Sequence, residues 1–324
     1  MYKATGLSGR LFVFTLVFGL APPEWSIGFE EPSVNLGAST FFDGMAVISE
    51  QKADSGFYFN QYFQYYSANR FNDSQGSARP GAPDLYAYTS LTQLIYLMEK
   101  PEVLGGKLGI DALIPLVSLK PSPDNTMLNA NPQVLGDLSI GPAIQFNPIM
   151  HGTNPLFMHR IDLDVIVPTG AYDRQFAFNP GANFVSFNPY WAASLFLGSK
   201  IVTSCRIHYL WNDVNKQPDL ALYPPGTKQV QAGQAVHFNY DLAYALFDHR
   251  LYAGFNGYYL KQFTPTKIND VAVSGLEEQV LGLGPGAVFN LNENAHFYLN
   301  LYFETAVENR SSGTRLNALF TYHF

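Results

Sequence analysis

The sequence predicts an all-β chain closing into a transmembrane antiparallel up-and-down β-barrel of about twelve strands, of the bacterial outer-membrane type. Three observations predict it. The C-terminal stretch alternates without interruption to a final phenylalanine, the composition is aromatic-rich yet neutral in hydropathy, and the connecting segments alternate between long and short.

The closing strand is the clearest element. In Thr314 to Phe324 (TRLNALFTYHF), Leu316, Ala318, Phe320, Tyr322 and Phe324 share one face of an extended chain, and Arg315, Asn317, Thr321 and His323 share the other. An aromatic, period-two strand ending on phenylalanine is the usual ending of outer-membrane barrels. Phe324 is therefore expected to be the signal read by the barrel assembly machinery, with Leu316, Phe320 and Tyr322 facing lipid and Arg315 and Asn317 facing the lumen.

Composition points the same way. Charged residues make up 14% of the chain and aromatics 15%, with 26 Phe and 20 Tyr, while mean hydropathy is -0.03. A helical membrane protein needs about 20 apolar residues in a row for each span. A membrane barrel instead alternates lipid-facing apolar residues with polar lumen residues, which averages near zero. The net charge of -7 and pI near 5.4 give no basic footprint for nucleic acid. The single Cys205 excludes an intramolecular disulfide framework and any multi-cysteine metal site.

The one continuous apolar run, Leu11 to Ala21, follows Lys3 and Arg10 in the charge-then-apolar order of a secretory signal. Residues 1–25 are expected to be that signal, with the cut between Ala21 and Glu31. Residues 26–55 lack a sustained period and are expected to enter the lumen as a plug or to lie in the periplasm. The barrel itself is expected over residues 56–324.

Candidate strands run Phe57 to Ala68, Leu85 to Glu99, Lys107 to Leu119, Gly136 to Pro148, Leu156 to Pro168, Phe187 to Leu197, Lys200 to Asn212, Gln234 to Phe247, Arg250 to Gln262, Glu277 to Phe289, Ala295 to Val307, and the closing strand. Each reaches the ~9 to 11 residues that cross a bilayer at a tilt. The links alternate as periplasmic turns and outer loops do. Long ones lie at Asn69 to Asp84, Lys120 to Leu135, Thr169 to Ser186, Asp213 to Gly233 and Phe263 to Leu276. The short ones include Gly198 to Ser199 and Asp248 to His249. The last outer link, Glu308 to Gly313, is shorter than its siblings.

The alternation also assigns faces. In Leu156 to Pro168, Phe157, Ile161, Leu163, Val165 and Val167 oppose Arg160, Asp162 and Asp164. A basic residue facing lipid at mid-bilayer costs roughly 2 to 4 kcal/mol, so the charged set must point inward. The same partition places Asp111, Asp137, Arg206, His208, His237, Asn239, Asp241, Tyr258, Tyr298, Asn300, Glu304 and Arg315 in the lumen. His159 falls on the lipid side. Pro285 predicts a bulge, Pro115, Pro142 and Pro189 predict the same, and kinks or openings in the wall would follow from them.

Catalytic readings are weak. His208, His237 and Asp241 form a set that suits a metal or acid-base work, but a lumen hydrogen-bond network with Arg206 and Asn239 accounts for it better. Ser204 has no nucleophile elbow around it. The glycines of Gly282 to Gly286 lack the helix that phosphate binding needs. No enzyme activity, cofactor or metal is expected.

Several stretches resemble a known family. Asp164 to Asp173 (DVIVPTGAYD), Asn179 to Asn183 (NPGAN) with Phe187 to Pro189, His237 to Ala245 (HFNYDLAYA) and Gly254 to Gln262 (GFNGYYLKQ) are similar to the MetA-pathway of phenol degradation proteins, the SphA-like outer-membrane transporters. Gly56 to Ala68 looks like that family's first strand. The resemblance implies a barrel channel, of twelve strands, that admits aromatic or other hydrophobic compounds in bacteria that degrade them. The resulting expectation is a monomeric passive channel for small hydrophobic or aromatic molecules, with outer-membrane lipid around it and no nucleic-acid partner. The alternative is a closed-lumen structural or adhesive barrel that binds partners through its outer loops.

Overall fold

The computed structural model describes residues 55–324, apart from 81, 83, 123–127, 221 and 224, together with Leu36 and Phe42. The expected signal segment lies outside the described residues. Twelve strands form the wall: β1 (Gly56–Phe71), β2 (Leu85–Val103), β3 (Gly106–Pro121), β4 (Leu138–Phe146), β5 (Asn154–Val167), β6 (Ser186–Leu197), β7 (Ile201–Asn212), β8 (Ala235–Leu246), β9 (Leu251–Gln262), β10 (Gln279–Asn290), β11 (Ala295–Glu308) and β12 (Ser311–His323). Each pairs antiparallel with its neighbours in sequence, and β12 pairs with β1 through thirteen residue pairs from Tyr58↔His323 to Phe71↔Ser311. The ring is therefore closed and leaves no free edge.

Side chains follow the pleat. Phe63, Leu94, Ile114, Leu163, Leu242, Phe255, Phe303 and Leu316 are exposed on the outside, where lipid rather than water is the solvent. Their inward neighbours are buried and mix aromatic rings with polar groups, as at Tyr62, Asp162, His237, Tyr302 and Asn317.

The prolines act differently from the bulge that their positions predict. The ladder between β4 and β5 skips Gly141 and Pro142, that between β6 and β7 skips Asn188 and Pro189, and that between β10 and β11 skips Gly284 and Pro285. Register is the same on both sides of each gap. A missing N–H removes a rung without adding a residue. The register shift in β10–β11 lies instead between Gln279 and Leu281, where β11 carries the extra residue and Ala306 has φ 49°. Pro115 keeps its pairing with Leu91, and its carbonyl accepts the Gly136 amide at 2.9 Å.

Three outer links also differ from the expected polar loops. Val230–Gln231, Thr266–Ile268 and Val271–Val273 form a small three-stranded sheet that joins the β7–β8 and β9–β10 loops. The last outer link shrinks to Asn309 and Arg310, because Ser311 and Ser312 continue the ladder against Phe71 and Arg70. Asn309 takes the left-handed conformation (φ 54°) that a tight turn requires, and its Nδ2 bonds the carbonyls of Gly275 at 3.0 Å and Glu277 at 2.9 Å.

Candidate functional site

A belt of polar side chains crosses the lumen, and one side of it is built around Arg160 on β5. Residues two apart on a strand share a face, so Arg160 and Asp162 meet inside the wall. Arg160 Nε donates to Asp162 Oδ2 at 2.7 Å and Nη2 donates to Asp162 Oδ1 at 2.8 Å. The same Nη2 reaches the Tyr190 hydroxyl at 2.5 Å and Asp111 Oδ2 at 3.4 Å. Asp111 in turn accepts from Gln93 at 2.6 Å, and Gln93 Oε1 accepts from the Tyr62 hydroxyl at 2.7 Å and from Asn60 at 2.9 Å. One guanidinium thus serves a cluster in which Asp111, Asp162 and Asp164 bring carboxylate oxygens within 4.8 Å of one another. The Tyr190 ring carries a second guanidinium, with Arg206 Cζ 5.1 Å from its centroid.

The opposite side is built around Glu304 on β11. Its Oε1 accepts from the Tyr258 hydroxyl at 2.6 Å, and its Oε2 accepts from the Tyr66 hydroxyl at 2.7 Å and the Gly313 amide at 3.0 Å. Arg315 supplies the counter-charge at 3.9 Å and lies 4.8 Å from the Tyr66 ring centroid. Gly282 makes this possible, since a Cβ there would collide with the Tyr258 ring. The glycine run in β10 therefore seats an aromatic ring rather than a phosphate.

Between the two sides, β7 and β8 place His208 directly opposite His237. Their rings stack with centroids 4.0 Å apart and a 15° angle. Asp241 does not join them, because it pairs with Ser204, four positions further along the strand. His159, on the outside, has a different setting: its ring stacks on Phe146 at 4.1 Å and accepts from Trp191 Nε1 at 3.4 Å.

Above the belt, the outer end of the barrel encloses a mostly apolar cavity of about 170 Å³. Leu85, Val117 and Leu119 line it from the wall, and Phe178, Leu222 and Tyr223 from the outer loops. Tyr172 sits at its side, donating to the Gln217 carbonyl at 2.7 Å, and burial pushes its phenol up to about 12. The two described N-terminal residues lie among lumen side chains. The Phe42 amide donates to Ser204 Oγ at 3.1 Å and its ring meets Tyr252 edge-on at 4.8 Å, while Leu36 is buried with Tyr258, Leu260 and Tyr302.

The belt contains Asp111, Arg160, Asp162, Asp164, Arg206, Tyr258, Glu304 and Arg315, with His208 and His237 between its halves. Asn239 pairs in register with Arg206, Asn300 accepts from Asn256 at 2.9 Å, and Tyr298 belongs to the buried cluster that includes Tyr62 and Phe42. Asp137 stands just before β4 and accepts the amides of Gly170 at 2.8 Å and Ala182 at 2.7 Å, clasping one outer loop to the next. Sequence reasoning missed Tyr66, Gln93 and Tyr190, which occupy inward positions beside the charges they contact. It also missed Phe178, Leu222 and Tyr223, for which loops offer no periodicity.

A closed wall with an apolar exterior and a polar belt defines an outer-membrane β-barrel of the bacterial type. The model of the family described as "Putative MetA-pathway of phenol degradation" matches residues 68–320, and the chain belongs to that family, a family of outer-membrane channels. Among solved structures, the COG4313 outer membrane channel from Pseudomonas putida F1 is similar, with 16% identity over 85% of this chain and 97% of that one and a TM-score of 0.73. The beta domain of the Bordetella autotransporter BrkA has 11% identity, coverage of 84% and 100%, and a TM-score of 0.44. A ΔS2S3 mutant of the monoaromatic hydrocarbon channel TodX has 10% identity, coverage of 84% and 91%, and a TM-score of 0.42. At those last two scores neither bears on the function of this chain. No curated protein sequence matches.

Proposed function

We propose that this protein is a passive channel through which small hydrophobic or aromatic molecules enter the cell. The cavity at the outer end carries the proposal. Its volume, about 170 Å³, is close to that of an apolar cavity of about 150 Å³ that accepts benzene. Its lining is apolar with a few polar groups at the edge, the pattern of small-molecule sites. A captured ring would next meet the belt, where Tyr62, Tyr190 and Tyr258 are buried and would have to part to let it through. The contacts of Leu36 and Phe42 support a further part of the proposal, that these two residues narrow the lumen.

Uptake of labelled toluene or phenol by cells with and without the protein tests this reading. Leu222→Trp, which fills the cavity, should reduce uptake while leaving the barrel inserted. Equal uptake with and without the protein would overturn it. The extensive burial of the belt favours a second reading, a closed barrel that binds partners through its outer loops. Liposomes containing the pure protein separate the two, since that reading requires no permeability to any small solute. Phe324, whose amide donates to the Phe57 carbonyl at 3.0 Å, is proposed as the assembly signal. Its deletion should lower the inserted fraction, read as the heat-modifiable band on a gel, and an unchanged fraction would remove that role.

A further inference from the structure

We propose that the outward face of β12, β1, β2 and β3 holds a binding site for one molecule of lipid A, the phosphorylated, acylated anchor of lipopolysaccharide. A groove of about 420 Å³ lies there on the lipid side of the wall. Its shape follows from the ladders. Outward side chains meet in rows across neighbouring strands, Leu316–Tyr65–Tyr88–Ser118 in one and Ala318–Phe63–Ser90–Leu116 in the next. The two serines and the alanine leave the space, and the larger side chains, all exposed, rise around it.

A bilayer gives an acyl chain no hydrophobic reason to leave its neighbours, because lipid tails are as apolar as the wall. Shape and charge must therefore select the occupant. The charge is Lys120, exposed on β3 next to its outer end and two positions beyond Ser118 on the same face. Its Nζ lies 5.5 Å from the Tyr88 ring centroid, and the Tyr88 ring lies 5.1 Å from that of Tyr65. A cation thus stands where the groove reaches the headgroups.

No carboxylate pairs with Lys120 among the described residues. Lys261, which also faces outward, makes the contrast: Glu308 Oε2 accepts from it at 2.9 Å, so its charge is neutralised within the protein. Arg70 is exposed near the outer end of β1, two strands and so about 10 Å across the sheet from Lys120. It would meet the second phosphate of lipid A. Height in the membrane decides between anionic lipids. Lys120 and Arg70 stand at the outer ends of their strands, in the leaflet built of lipopolysaccharide, whereas phospholipids populate the periplasmic one.

Native mass spectrometry of the purified, detergent-solubilised barrel tests this, with lipid A, dephosphorylated lipid A and phosphatidylglycerol added in turn. The expected result is one lipid A retained per barrel, with both other lipids held more weakly. Lys120→Ala should weaken retention about fivefold, and Ser90→Trp, which fills the groove, should weaken it as well. Lys261→Ala should leave it unchanged. The heat-modifiable band shows which variants are inserted. Should Ser90→Trp fail to insert, the comparison of lipid A with its dephosphorylated form on the unaltered protein decides. No retained lipid A, equal retention by Lys120→Ala, or phosphatidylglycerol held as tightly would overturn the site.

Discussion

Around Glu304 each carboxylate oxygen has a short donor, and one arginine balances one acid. Around Arg160 a single guanidinium faces three carboxylates, and Asp111 Oδ1 and Asp164 Oδ1 are buried without a donor. The same residue types thus build two different devices. A carboxylate with a donor on each oxygen rigidifies its half of the lumen, since removing either donor strands an oxygen. A crowded, buried cluster of carboxyls holds protons in place of the missing counter-charges, at a cost in stability that the rest of the wall supports.

Removing the shared cation should break this contrast most severely. Arg160→Ala leaves Asp162 buried without the two bonds it accepts, so unfolding by guanidinium in detergent should show a loss of about 3 to 5 kcal/mol. A loss under about 1 kcal/mol would mean that proton uptake by the carboxyls makes good the lost charge. On the saturated side, Tyr258→Phe deletes one donor to a charged group and should cost about 1.5 to 3 kcal/mol in the same assay. The double change Asp162→Asn and Asp164→Asn should act chiefly on passage. An amide at position 162 keeps one of the two bonds from Arg160, so insertion persists at some cost in stability, while single-channel conductance in lipid bilayers shifts. Unchanged conductance would show that this cluster lies off the path.

The smallest effect belongs to the rim. Asp73 accepts the amides of Ser77 at 2.9 Å and Gln75 at 2.8 Å, which hold its carboxyl below the usual value of 3.8. A depressed carboxylate stabilises its turn above the unfolded value and loses that support as pH falls through the folded one. Amide exchange at Gln75 and Ser77 should therefore quicken only in strong acid. Equal protection at pH 2 and pH 6, after correction for intrinsic exchange, would contradict it.

Much of the wall was legible because a bilayer enforces a strict period of two. Strand ends such as Leu197 and Asn212 coincide with those that the alternation predicts, and Arg160 with Asp162 could be placed together from spacing alone. Contacts between distant strands were not legible in that way. Asp111 and Arg160 meet because β3, β4 and β5 are staggered, and stagger depends on bulges and turns that no single strand reveals. The β9–β10 loop hid its strands because Thr266–Ile268 and Val271–Val273 are too short to show a period. Pro285 misled for a related reason: the residue signals a lost rung, but not whether an extra residue accompanies it.

The seam between β1 and β12 has a kinetic consequence. Every other wall pair joins segments close in sequence, but Tyr58 and His323 are 323 − 58 = 265 positions apart. Loop entropy grows only by about 0.6 kcal/mol per doubling, so closing this ring costs about 2 kcal/mol more than closing a 20-residue hairpin. Thirteen residue pairs outweigh that easily once they form. Order of events is what the separation governs: the two terminal strands remain open edges until the whole chain has been delivered, and the last hydrogen bonds to form are those that make the protein a ring.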